Sequence, residues 1–118
     1  MIKILKAKLQ NLVITDKSLY YEGSIGIDKK FLELSGILPY EEVLVVNLNN
    51  GQRFETYVIE EEYNSGLVVL RGAAARNGEI GDKIIVMAFR YINEENYKIY
   101  KPKIIVFKEK NEISNILT

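Results

Sequence analysis

The chain has 118 residues, 47% hydrophobic and 27% charged, enough apolar content for a modest core and the length of one domain spanning 1–118. Lys plus Arg and Asp plus Glu each number 16, so the formal net charge is zero and no global field gathers phosphates or anionic lipid; neither nucleic acid nor a membrane is an expected partner. Cysteine and histidine are absent, which excludes disulfides, thiolates, Cys- or His-ligated metals and the usual general base, and leaves Tyr, Lys, Ser, Thr and carboxylates for any chemistry.

Met1-Ile2-Lys3 opens straight into interleaved apolar and basic residues, and a first strand is expected between Ile2 and Thr15. The longest apolar run, Ile84 to Phe89, is far short of the roughly 18 residues of a spanning helix, so a soluble, cytoplasmic protein is expected. After a polar break at Thr15-Asp16-Lys17-Ser18, Leu19-Tyr20-Tyr21 reads as a short extended segment running into Glu22-Gly23-Ser24. Asp28 is a suitable N-cap for a short helix through Phe31, Leu32 and Leu34, stopped by Gly36. Val43 to Leu48 and Arg53 to Ile59 flank Asn49-Asn50-Gly51, which signals a hairpin. Leu67 to Leu70, Lys83 to Tyr91 and Ile104 to Phe107 complete the strands, with a turn or one helical turn at Asn93 to Asn96 and a loose polar tail from Lys108. Short strands punctuated by turns, with one small helix, indicate a mainly β barrel or sandwich.

Four blocks carry more than local structure: Tyr21-Glu22-Gly23-Ser24, the run from Asn50 through Tyr57, Gly72-Ala73-Ala74-Ala75 and Gly81-Asp82, together with Lys8-Leu9 near the start and Ser35-Gly36-Ile37-Leu38 at the helix end. In order and spacing they resemble the bacterial aspartate 1-decarboxylases over nearly the whole chain. The resemblance implies a double-psi β-barrel with one or two short helices, a homotetramer with sites between subunits, and a precursor that cuts itself between Gly23 and Ser24 into pieces 1–23 and 24–118. It implies that Ser24 becomes a covalent pyruvoyl cofactor for turning L-aspartate into β-alanine and carbon dioxide, a step of pantothenate and coenzyme A synthesis.

The residues themselves suit that chemistry. Removing an α-carboxylate leaves an electron pair for which no ordinary side chain is a sink, and a ketone conjugated to an amide supplies one without an external cofactor. Gly23 lacks a Cβ, which exposes its carbonyl to the Ser24 hydroxyl and frees its backbone angles. The bland alternative for Glu22-Gly23-Ser24 taken alone is an ordinary turn. Arg53 can grip a carboxylate through both oxygens, although a lone strand cation is more often merely solvated. By resemblance Thr56 holds the carbonyl oxygen during cleavage, Tyr57 is the proton donor after carbon dioxide leaves, and Lys8 assists near the substrate carboxylates or the pyruvoyl group.

In a regular strand Arg53 and Tyr57 share a side about 13 Å apart, so one small substrate does not reach both within one chain, and Thr56 faces the other side. Bringing Thr56 into the site requires a bend, a bulge or a subunit boundary. Gly72, Ala73 and Ala74 read either as a backbone wall against a small substrate or as tight packing, and Tyr21 as pocket lining or packing. Three residues depart from the family pattern: Arg71 stands where asparagine is common, Gln10 where histidine is, and Ile25 where cysteine is. An added cation at Arg71 either alters cleavage or substrate fit or points to solvent. Two other readings stay open: a non-enzymatic β-barrel binding module, and an unprocessed homologue that needs a maturation factor.

Overall fold

A computed structural model of the chain describes residues 1–20 and 22–117. Among the described residues nine strands form one mixed sheet: β1 (Ile2–Val13), β2 (Asp16–Ser18), β3 (Ser24–Asp28), β4 (Glu42–Asn47), β5 (Arg53–Glu61), β6 (Val68–Arg71), β7 (Lys83–Ile92), β8 (Lys103–Lys108) and β9 (Glu112–Leu117). The order across the sheet is β2-β6-β3-β5-β4-β7-β1-β8-β9. Because β2 continues the chain of β1, and Thr15 N–H between them donates to Val68 O at 2.8 Å, the run from β2 to β1 closes on itself. Of the mainly β barrel or sandwich expected from the turn spacing, the chain forms the barrel that the resemblance implies, with β8 and β9 added beside β1.

Alternation sets the two faces. Ala7 and Leu9 of β1, Val43 and Val45 of β4, and Val86 and Ala88 of β7 are buried, while Lys8, Leu44 and Met87 face outward in one cross-strand row. Asn11, at φ +68°, is the extra residue of a bulge between Gln10 and Leu12 that returns Leu12 to the core. The one α-helix among the described residues, α1 (Lys29–Ser35), begins at Asp28, whose carboxylate accepts Lys30 N–H, and ends at Gly36 in the left-handed region, where Gly36 N–H donates to Leu32 O at 2.9 Å. Phe31 of this helix meets Phe107 of β8 edge to face, with centroids 4.6 Å apart.

The expected hairpin is present, and Asn47 Oδ1 caps its turn by accepting the N–H groups of Asn49 and Asn50. The turn or helical turn expected at Asn93 to Asn96 is the start of a 3₁₀ helix, Glu94–Ile99, which Asn93 precedes in extended conformation. Three expectations need correction. The polar break at Asp16–Ser18 is itself a strand, paired parallel with β6 through the backbone, and the extended segment placed at Leu19-Tyr20 is a bend. A fully buried strand, β3, starts at Ser24 itself. The tail is not loose: β9 pairs antiparallel with β8, and the buried Asn111 side chain accepts Val13 N–H at 2.7 Å while donating to Val13 O and Gly66 O.

Candidate active site

The feature that positions the site is where β3 begins. β3 pairs with β5 only from Ile25 opposite Val58 onward, so the edge of β5 before Val58 has no strand beside it on that side among the described residues. The 3₁₀ helix Gly72–Asn77 closes the far side of this gap. A cavity of about 340 Å³ lies there, lined by Gly23, Phe54, Glu55, Thr56, Tyr57, Ala73, Ala74 and Asn77. Thr56 and Tyr57 point to opposite faces of β5, yet both reach this cavity because the missing strand opens the edge between the faces. Neither a bulge nor a bend in β5 is required.

Ser24 lies on the other wall of the same junction. A second cavity, of about 440 Å³, is lined by Glu22, Ser24, Pro39, Tyr40, Tyr57, Ile59 and Glu60, so Tyr57 borders both spaces. The Gly23–Ser24 bond spans the boundary between an exposed residue and one that is 1% exposed. Ser24 Oγ donates a long hydrogen bond, 3.4 Å, to Glu22 O, which folds the hydroxyl back toward the preceding peptide units. Gly23 has no heavy atom within 4 Å of where a Cβ would sit and no left-handed φ. Its suitability here is therefore access to its carbonyl rather than an unusual backbone angle.

Lys8 and Arg53 do not line these two cavities. Lys8 faces outward from β1 opposite Met87 and Ile104, and the cross-strand row through Met87 and Leu44 leads from it to Glu55. At about 4.8 Å per strand, Lys8 and Glu55 are roughly 14 Å apart, although Lys8, Arg53, Glu55 and Tyr57 share one face of the sheet. The Gly72-Ala73-Ala74 segment serves both roles left open for it: Gly72 is buried in packing, Ala73 is exposed on the cavity wall, and Ala74 is buried yet borders the cavity. Tyr21 lies outside the described residues.

The three departures from the family pattern are placed. Ile25 is in the core, Gln10 is half-buried on the outward face of β1, and Arg71 does not point freely to solvent. Arg71 Nη2 donates to Glu61 Oε2 at 2.6 Å, with both side chains largely buried. The Glu61 carboxylate lies where a Cβ on Gly26 would be, so β3 needs glycine there for the ion pair to cross it. Arg71 is the cross-strand neighbour of Ser24, which sets this pair beside the candidate cleavage site.

Sequence reasoning missed Tyr40. Its φ of +69° is a left-handed conformation costing a tyrosine about 1–3 kcal/mol, and its ring lies 6.2 Å from that of Tyr57. Pro39-Tyr40 gives no local signal of this, because the contact depends on β5 passing the turn. Gly81-Asp82, expected as a turn, is one: Gly81 has φ +97°, and the Asp82 carboxylate accepts Asn47 Nδ2 and Glu79 N–H at 2.9 Å each. These bonds, foremost that from Asn47, and the Lys17 charge lower the Asp82 pKa against the opposing effect of burial. No cluster of three His, Cys, Asp or Glu able to hold a metal occurs among the described residues, and no helix among them is long and apolar enough to cross a membrane.

Residues 1–114 match the family described as Aspartate decarboxylase. An aspartate 1-decarboxylase of Thermosipho africanus is 52% identical over 113 residues, covering 96% of this chain and 92% of that protein. The aspartate 1-decarboxylase of Campylobacter jejuni is 50% identical, covering 98% and 90%, and that of Caldicellulosiruptor saccharolyticus 48%, covering 96% and 88%. With Ser24, Thr56 and Tyr57 gathered at one gap in the barrel and this likeness running almost end to end, the chain belongs to the aspartate decarboxylase family.

Proposed function

We propose that the chain is a precursor that cleaves itself between Gly23 and Ser24 and then decarboxylates L-aspartate to β-alanine and carbon dioxide. The observation that carries this reading is the state of Ser24: a buried hydroxyl with one long hydrogen bond, turned back along its own chain beside an exposed glycine peptide. Ser24 Oγ attacks the Gly23 carbonyl carbon, the C–N bond breaks, and an ester replaces the amide. Loss of the Cα proton expels Gly23 as a carboxylate, and water then replaces the nitrogen of residue 24, which leaves as ammonia. An ester is less stable than an amide, so the first step needs stabilisation of the developing oxyanion, which the Thr56 hydroxyl on the same cavity wall as Gly23 supplies.

The residues at this junction fit a pyruvoyl group: the end of β3 stays paired with β6 opposite Arg71, and Ser24 opens onto the cavity that Tyr57 lines. A ketone there supplies the electron sink that decarboxylation requires. Tyr57, bordering both cavities, delivers the proton to the substrate carbon once carbon dioxide has left. Arg53 holds a substrate carboxylate in a two-point grip, Ala73 and its neighbours offer a close wall, and Lys8 adds positive charge.

Lys8 and Arg53 stand away from the Ser24 cavity in one chain, which supports a site completed by a neighbouring copy in a homotetramer. The outward face that carries them also bears the half-buried Leu44, Val46, Ile85 and Met87, apolar surface suited to such contact. The product places the enzyme in pantothenate and coenzyme A synthesis, in the cytoplasm. Carbon dioxide release with aspartate and not with glutamate is the expected outcome. Equal release from both, or none from either, sinks the substrate assignment.

A further inference from the structure

Between α1 and β4, a turn sends one large side chain into the open beside the site. Tyr40 N–H donates to Val58 O at 2.7 Å, and Val58 N–H donates to Glu41 O at 3.1 Å, so two residues of one segment oppose one of β5. This is the pattern of a β-bulge whose first residue is left-handed, a place ordinarily filled by glycine. Here it is filled by tyrosine at φ +69°.

The turn does not use the tyrosine ring for its own bonding. Glu41 N–H donates to Leu38 O at 3.0 Å, Leu38 N–H donates to Glu41 Oε1 at 2.9 Å, and Lys6 Nζ from β1 reaches the same oxygen at 2.7 Å. Pro39 fixes the approach from the other side. The Tyr40 side chain emerges from this rigid mount 77% exposed, and its ring meets Tyr57 with centroids 6.2 Å apart and planes inclined by 32°. Both rings line the cavity that holds Ser24.

We propose, on the decarboxylase reading above, that Tyr40 is a positioning residue: its ring walls the Ser24 cavity and holds the Tyr57 phenol in the orientation from which it delivers its proton. Tyr57 is on the outward face of β5 and only half-buried, so without a neighbouring ring its side chain has room to change rotamer. A proton donor acts only within hydrogen-bond reach of its target, and displacement by about 1 Å is enough to cost on the order of 100-fold in rate. Bulges beside active sites serve to re-aim a side chain, and the side chain re-aimed here meets the candidate acid.

Tyr40→Gly tests this with effects of opposite kind. Glycine suits the left-handed position, so the variant is expected to fold with an unchanged or higher thermal midpoint and to cut itself into the same fragments, while kcat falls about tenfold or more and KM changes less. Tyr40→Phe keeps the ring and is expected to recover most of that loss. Tyr40→Asn, which also tolerates the backbone, is the second truncation should glycine loosen the turn. A readout independent of turnover comes from ¹³C-tyrosine spectra in the uncleaved Ser24→Ala chain, with the Tyr57 resonance assigned through Tyr57→Phe. That resonance is expected to move in Tyr40→Gly and to stay in Tyr40→Phe. Parent-like turnover in Tyr40→Gly, or an unmoved Tyr57 resonance, overturns the positioning role alone. A parent chain that releases no carbon dioxide from aspartate overturns the decarboxylase reading and the role with it.

Discussion

The two ends of β3 bury one polar side chain each and treat them differently. Asp28 and Ser24 are both 1% exposed. The Asp28 carboxylate accepts three backbone N–H groups at 2.8 to 2.9 Å, from Lys30, Asn64 and Gly66. The Ser24 hydroxyl donates one long hydrogen bond, 3.4 Å, to Glu22 O and faces a cavity. A buried polar group with short, complete bonding is committed to the fold, because breaking those bonds leaves donors unpaired. One held by a single long bond next to open space is free to react, and the same strand holds both because its other neighbours, β5 and β6, fix it along its length.

That contrast is broken most severely by Ser24→Ala. The variant is expected to fold, remain one chain and release no carbon dioxide, since the nucleophile and the source of the ketone are gone while the strand is barely altered; intact mass and a turnover assay read both. Tyr57→Phe should still cleave, with kcat down about 10³-fold, because the proton donor is lost and the ring remains. Thr56→Val, nearly the same shape without the hydroxyl, is expected to slow cleavage about 10²-fold, followed as fragment appearance over time. Asp28→Asn belongs to the opposite pole: one oxygen acceptor becomes a donor facing N–H groups, which should lower stability by about 2 kcal/mol in urea titrations while folded protein still cleaves.

The smallest effect concerns Asp82, which serves a turn. Its pKa is lowered in the fold, first by the Asn47 hydrogen bond, so its contribution is present above the ordinary carboxylate range and is lost as pH falls through the lowered value. Asp82→Asn should therefore be less stable than the parent near neutral pH, and the gap in thermal midpoints should close in acid. A gap that persisted unchanged at low pH would remove the carboxylate from the account of this turn.

What was legible in the sequence was what neighbours in the chain decide. Asn49-Asn50-Gly51 marked its hairpin, and Asp28 and Gly36 marked the two ends of α1, because the capping bonds are local. β2 and β3 escaped since their pairing is with distant strands, Asp16–Ser18 joining β6 by backbone bonds alone; β9 pairs with its chain neighbour β8 but is anchored by Asn111, whose side chain binds the distant backbone of Val13. For the site, Gly23, Ser24, Thr56, Tyr57 and Ala73 were singled out as candidates by their motifs, and the structure brings them to one junction while leaving Lys8 and Arg53 apart from it. The gap that lets Thr56 and Tyr57 share it follows from where β3 begins, and the strained Tyr40 from a bulge against β5, neither of which a local pattern encodes.

The central claim is that the peptide bond between an exposed glycine and a buried, underbonded serine gives way by itself. Denaturing mass spectrometry of the purified chain after warming tests it directly. The expected result is a piece ending at Gly23 and a larger piece lighter by one ammonia than simple hydrolysis would leave. A chain that stays whole, or a larger piece that still begins with an ordinary serine, would contradict it.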